Sequence, residues 1–170
     1  MAYDQRLDGS IGLTITCGDG RVQDPTDELR TQEFPEVINF DTLTAPGPDA
    51  YFKADFDPEA PHGDPQFGVT KGHRKASFLA DMSIYMTAHP TCCLHLDVHE
   101  ECAGHPCDLE QHRIDVIRMV NELEEVFPQI KELPILVTIT RRIEANQPGF
   151  VTEVVERRRM DSAATQSASA

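Results

Sequence analysis

Apolar residues follow two rhythms along this chain, one alternating and one recurring every three to four positions, and together they mark out the elements. Ser10 to Thr16 joins β-branched residues with alternation and reads as a strand. After a glycine-punctuated turn, Asp24-Pro25 looks like an N-cap followed by proline at the first helical position. Asp27-Glu28 add negative charge where the helix dipole favours it, which predicts a short helix to about Arg30. Val37 to Phe40 reads as a second short strand. Ala76, Leu79, Met82, Ser83 and Met86 then recur at helical steps, so Val69 to Ala88 is predicted helical and Pro90 ends it. A strand over Cys92 to Val98 follows. From Leu109 to Phe127 a long helix places Arg113, Val116, Ile117, Val120, Leu123 and Phe127 on one side, with Glu122, Glu124 and Glu125 on the other. Ile135 to Thr140 is the strongest strand in the chain, and Phe150 to Val155 pairs with it as a hairpin across Asn146 to Gly149.

Strands alternating with helices imply an α/β fold with a mainly parallel central sheet flanked by helices. The 170 residues suit one domain with a substantial core, expected over residues 1–156. An insert at 41–68 interrupts it, carrying Pro46, Pro48, Pro58, Pro61 and Pro65, which excludes long regular elements. Tyr51, Phe52, Phe56 and Phe67 give that insert enough aromatic surface to pack down as an ordered flap. Residues 157–170 open with Arg157-Arg158-Arg159 and continue into an Ala/Ser tail unable to form a core, so a disordered, solvated end is expected.

Charge narrows the partners. With 15 basic against 29 acidic residues and a net charge of −14, the chain is a poor match for nucleic acid or an anionic membrane surface. No apolar run approaches the about 20 residues a bilayer span needs, and the first ten residues lack a signal-peptide centre, so a cytoplasmic protein is expected. An odd count of five cysteines excludes a complete disulfide framework and favours ligands or buried thiols.

The chemistry gathers at two predicted strand ends. The first strand runs into Cys17-Gly18-Asp19-Gly20-Arg21, and the Cys92 to Val98 strand runs into His99-Glu100-Glu101-Cys102-Ala103-Gly104. If those strands are parallel neighbours, Cys17, Asp19, His99 and Cys102 converge outside their carboxyl ends, where open α/β sheets collect ligands. Thiolate, imidazole and carboxylate are a complete donor set for zinc. Cys102, His105 and Cys107 form a competing local set. His95 and Asp97 share the alternation of His99, either as groups orienting it or as a satisfied polar pair. Cys92 and Cys93 read as buried small hydrophobes, and His73 and His112, on helices, as solvated side chains.

These two segments resemble the signature of the β-class carbonic anhydrases, Cys-x-Asp-x-Arg on one strand end and His-x-x-Cys-Gly on another. The resemblance implies a Zn2+ ion held by Cys17, His99 and Cys102, with Asp19 or water in the fourth position. It implies that Arg21 draws Asp19 off the metal, and that Asp19 and Arg21 serve catalysis. The implied reaction is hydration of carbon dioxide to bicarbonate by a zinc-bound hydroxide, with His62 or His105 as candidates for proton transfer. It also implies a homodimer or higher homo-oligomer. Two alternatives accompany it: hydrolysis of carbon disulfide or carbonyl sulfide at the same zinc, and a non-catalytic zinc-binding relative acting in an assembly or as a sensor.

Overall fold

A computed structural model describes residues 11–88, 91–144 and 147–160. The chain runs β1 (Ile11–Thr16), α1 (Gln23–Glu33), β2 (Asn39–Thr44), α2 (Lys71–Ala88), β3 (Thr91–His99), α3 (Leu109–Val126), β4 (Ile135–Glu144) and β5 (Gln147–Arg158). Short 3-10 turns at Pro48–Phe52, Pro65–Phe67 and Pro128–Glu132 connect them. The result is an α/β fold around a five-stranded sheet of order β2-β1-β3-β4-β5. The first four strands are parallel and β5 closes the edge antiparallel to β4.

Alternation decides what each face carries. Leu13 and Ile15 of β1, Leu94, Leu96 and Val98 of β3, and Ile135, Val137 and Ile139 of β4 join the main core with Phe78 and Met82 of α2 and Val116, Met119, Val120 and Leu123 of α3. The intervening positions of β3 and β4 are buried too, and there they are largely polar: His95, Asp97, Thr138 and Thr140 lie on the opposite face, with Phe34, Cys93 and Leu136 forming a small apolar cluster beside them. Strands buried on both faces are what a mainly parallel sheet produces.

Several expectations need correction. β2 occupies Asn39–Thr44 rather than Val37 to Phe40, because pairing runs in register with the whole of β1, from Ile11↔Asn39 to Thr16↔Thr44. The backbone hydrogen bonds of that ladder carry the strand past Asp41 into the segment expected to be irregular. α1 begins at Gln23 and continues to Glu33, so Asp24 sits inside the first turn and is not the cap. The β4–β5 hairpin is longer at both ends than expected, and of its predicted Asn146 to Gly149 turn, Asn146 lies outside the described residues while Gln147, Pro148 and Gly149 belong to β5.

The proline-rich segment is ordered. Its Pro48–Phe52 turn is wholly buried, and Tyr51 and Phe52 pack against Phe78 with ring centroids 6.1 Å apart in each pair. Phe67, expected to pack down, is 73% exposed. At the carboxyl end the arginines are not a solvated tail: Arg157 and Arg158 complete β5, Arg157 pairs with Glu33 of α1, and Arg158 and Arg159 pair with Glu124 of α3. Residues 161–170 lie outside the described residues. Among the described residues no helix is long and apolar enough to cross a membrane.

Candidate metal centre

β1 and β3 are adjacent and parallel, with Ile15 level with Leu96, so the residues that follow Thr16 and Val98 emerge at the same end of the sheet. Cys17, His99 and Cys102 meet there, all buried, with their ligand atoms within 4.8 Å of one another. The Cys17 and Cys102 sulfurs stand 3.7 Å apart. Two thiolates bound at about 2.3 Å to one tetrahedral ion would lie about 3.8 Å apart, so this spacing fits a shared metal.

The third donor is aimed by its own backbone. His99 Nδ1 donates to the Glu100 carbonyl at 2.8 Å, which leaves the buried Nε2 as the free nitrogen, and it has no hydrogen-bond partner. A buried imidazole fixed through one nitrogen and unpartnered at the other is the arrangement of a metal ligand. The turn that brings Cys102 back depends on Glu101, whose φ of 59° is left-handed. Both glutamates anchor that turn to β4: Arg142 N–H donates to the Glu100 carboxylate at 3.1 Å, and the Arg142 side chain pairs with Glu101 at 2.9 Å.

Electrostatics favour one thiolate within this group. The Cys102 thiol, hydrogen-bonding to Cys17, lowers the Cys17 pKa to about 4 against the opposing effect of burial, and His99 adds to the lowering. Cys102 is pushed up because its proton is held against the Cys17 thiolate and burial disfavours a second charge. Burial opposes charge on His99, but the neighbouring Cys17, the Glu100 carbonyl and Asp19 together raise it. A thiolate that is already favoured, beside an imidazole, is a site that a soft divalent cation completes.

Asp19 stands outside the converging group. Arg21 Nε reaches both its carboxylate oxygens at 3.0 Å and the Arg21 N–H donates to Oδ1 at 3.0 Å. These hydrogen bonds hold the Asp19 carboxyl at about 2. Arg21 and Arg142 both lie 5.7 Å from the Phe150 ring centroid, so β5 supplies an aromatic wall between two guanidinium groups at this rim.

Above the site the Pro46–Gly47 backbone lies directly on Gly104: a Cβ on Gly104 would meet the Pro46 carbonyl carbon at 2.4 Å and Gly47 N at 2.7 Å. The Gly47 N–H contributes to the lowering at Cys17. The proline-rich segment is thus a lid fastened over the ligands, and a glycine at 104 is what lets it descend.

The remaining sequence candidates separate. His95 Nε2 bonds Thr138 at 2.9 Å, and Asp97 accepts from Thr138 at 2.6 Å and Thr140 at 3.1 Å, so this pair belongs to a threonine network and does not orient His99. Burial pushes Asp97 up to about 7 against those hydrogen bonds, and burial, aided by Arg30, lowers His95 to about 3. Cys93 is buried beside Phe34 and Leu136, as expected of a small hydrophobe. His73 is exposed at the start of α2, where its N–H donates to the Thr70 hydroxyl and its Nδ1 accepts from the Thr70 N–H. His62 stacks near Tyr51 at 6.4 Å, and burial lowers its pKa.

His105 is not a mobile proton carrier. It is buried and hydrogen-bonded to Asp115 at 3.0 Å. Nor do Cys102, His105 and Cys107 act as one set: Cys102 joins Cys17 and His99, while His105 and Cys107 converge with His112. His112, expected to be solvated, is fully buried against Asp49. Its position was legible, since it continues the Val116, Met119, Val120 and Leu123 stripe one turn earlier. The partner Asp49, 63 residues away, was not. Comparison of the chain with family models, with curated proteins and with solved structures found no match.

Proposed function

We propose that the protein binds zinc through Cys17, His99 and Cys102 and hydrates carbon dioxide reversibly to bicarbonate, in the manner of the β-class carbonic anhydrases its two motifs resemble. The observation that carries this reading is the pairing of a three-ligand group with an acidic side chain held away from it. Cys17, His99 and Cys102 converge within 4.8 Å, and Asp19 is committed to Arg21. A site that only stabilised the fold would gain from a fourth protein ligand, whereas a catalytic site keeps one position open.

Zinc bound there supplies a Lewis acid that makes water nucleophilic near neutral pH. The chain's own groups do the rest. Arg21 keeps the Asp19 carboxylate ionised and turned aside, so that it can accept a hydrogen bond from the attacking water and orient its lone pair toward the carbon of the substrate. The ligands are buried, with the Pro46–Gly47 backbone packed on Gly104 beside them, an arrangement that limits the water reaching the site. Arg21 and Arg142 flank the rim, where an anionic product leaves a chain otherwise rich in carboxylates.

Stopped-flow hydration of carbon dioxide, on protein whose zinc content has been measured, tests the proposal. Zinc-loaded protein should accelerate hydration, and Arg21→Ala should keep its zinc while losing on the order of 10–100-fold in rate, as removal of a supporting residue does. Stoichiometric zinc with no acceleration, at neutral or mildly alkaline pH, would exclude this activity.

A further inference from the structure

We infer that the chain carries a second metal site, built by His105, Cys107 and His112 beside Asp49 of the proline-rich segment. Their ligand atoms lie within 4.8 Å of one another, and the two imidazole rings meet edge to face with centroids 4.9 Å apart. Two imidazole nitrogens and one thiol sulfur select zinc or a similar borderline-soft divalent ion over calcium or magnesium.

The second observation is an unpartnered nitrogen. His112 Nδ1 faces Asp49 Oδ2 at 2.6 Å, so Nδ1 carries the donated proton, and Nε2 is left buried with no hydrogen-bond partner on a residue with 0% exposure. Leaving such a nitrogen unpaired in the interior is unfavourable. His105 has the same support from the other direction, since its Nε2 bonds Asp115 Oδ2 at 3.0 Å. A carboxylate behind each imidazole is the usual outer support of a metal-binding histidine. His99 in the first site shows the same plan, with a backbone carbonyl in place of the carboxylate.

Charge asks for a cation in the same place. Asp49 and Asp115 are both buried, and among the described residues the permanent positive charge paired with them is Arg118, at 2.8 Å from Asp115 Oδ1. The two buried carboxylates outnumber that one guanidinium, an imbalance that a divalent ion bound beside them offsets. Cys107 also borders a cleft of about 630 Å³ that His105, Asp115 and Arg118 line. The ion therefore has an entry path and an open fourth position on the cleft side.

The local sequence explains why these groups meet. The turn after Cys102 closes through His105 N–H to the Cys102 carbonyl at 3.1 Å and Cys107 N–H to the His105 carbonyl at 2.9 Å, which reverses the chain and places both side chains over the start of α3. Asp108 caps that helix by accepting from Gln111 N–H at 2.8 Å, and His112 and Asp115 follow three apart on the same inward face. Asp49 arrives from the lid. A metal here ties together α3, the loop behind Cys102 and the segment covering the first site.

Metal content separates this from the first site. The purified full chain is equilibrated with zinc, freed of excess by gel filtration, and assayed for zinc per chain by mass spectrometry, with far-ultraviolet circular dichroism to confirm folding. Wild type should hold two equivalents. Cys107→Ser, at a partly exposed position, and His112→Gln should each hold one, retained at Cys17, His99 and Cys102. Cys102→Ser should also hold one, and in that variant cobalt should give a thiolate charge-transfer band that Cys107→Ser abolishes. One equivalent in wild type that survives Cys107→Ser overturns the second site, as does a folded Cys102→Ser protein without zinc. One equivalent that depends on Cys107 and not on Cys102 leaves the second site standing and removes the first.

Discussion

Acid stability offers a quantitative test through His95. This imidazole has 0% exposure, bonds Thr138 through Nε2, and is held neutral by burial with a contribution from Arg30, its pKa lowered to about 3. In the unfolded chain it titrates near about 6.5. Below that pH the unfolded state binds a proton that the folded state refuses, so stability rises with pH in this window and falls on acidification. Any folded value below about 4 gives the same result between about pH 7.5 and pH 5: the contribution is fixed by the unfolded titration alone, and amounts to about 2 kcal/mol of stability lost. His95→Gln removes this ionisation. Urea unfolding of wild type and variant, with matched metal content and followed by circular dichroism at both pH values, isolates it, because every other titrating group is common to both. The variant has its own cost for altering the Thr138 contact, but that cost is present at both pH values and cancels. Wild type should lose about 2 kcal/mol more than His95→Gln on going to the lower pH. Equal losses would show that His95 accepts a proton in the folded protein, and the account of the buried polar layer would fail.

Other outcomes follow from packing and charge. Gly104→Ala drives a Cβ to 2.4 Å from the Pro46 carbonyl carbon, so the lid must lift; a loss of about 1–3 kcal/mol and faster zinc release to a chelator are expected, and an unchanged melting temperature would refute the close approach. Met82, with 0% exposure in the main core, should cost about 2–5 kcal/mol as Met82→Ala in urea titration. Arg157→Ala breaks a surface pair with Glu33 and should cost only about 0.5 kcal/mol, whereas unfolding of β5 would show as a changed denaturant slope. His99→Ala should abolish zinc retention at the first site, and unaltered metal content would remove His99 from it.

Half of the candidate metal centre is legible in the residues themselves. Spacing alone placed Cys17 and Asp19 at one strand end and His99 and Cys102 at another, since alternation and turn residues are local properties. What joined them was the strand order: 82 residues separate Cys17 from His99, and only β1 lying parallel beside β3 puts both at one point. The division of labour within the motif was also tertiary. Arg21 takes Asp19 out of the converging group, and the orientation of His99 comes from the Glu100 carbonyl rather than from His95 or Asp97.

The same distinction explains the misses. β2 starts late because its limits are set by the ladder to β1, and Arg157 to Arg159 are ordered because Glu33 and Glu124 lie within reach across the fold. His112 looked solvated because a polar side chain on a helix usually is, and it is buried because Asp49 comes down with the lid to receive its proton. Periodicity, capping and chain chemistry belong to neighbours along the chain, which is why the helices, the core strands and the two ligand-bearing segments are readable from the residues alone. Register, lid closure and the pairing of buried charges depend on residues far apart in the chain, which meet only once it folds.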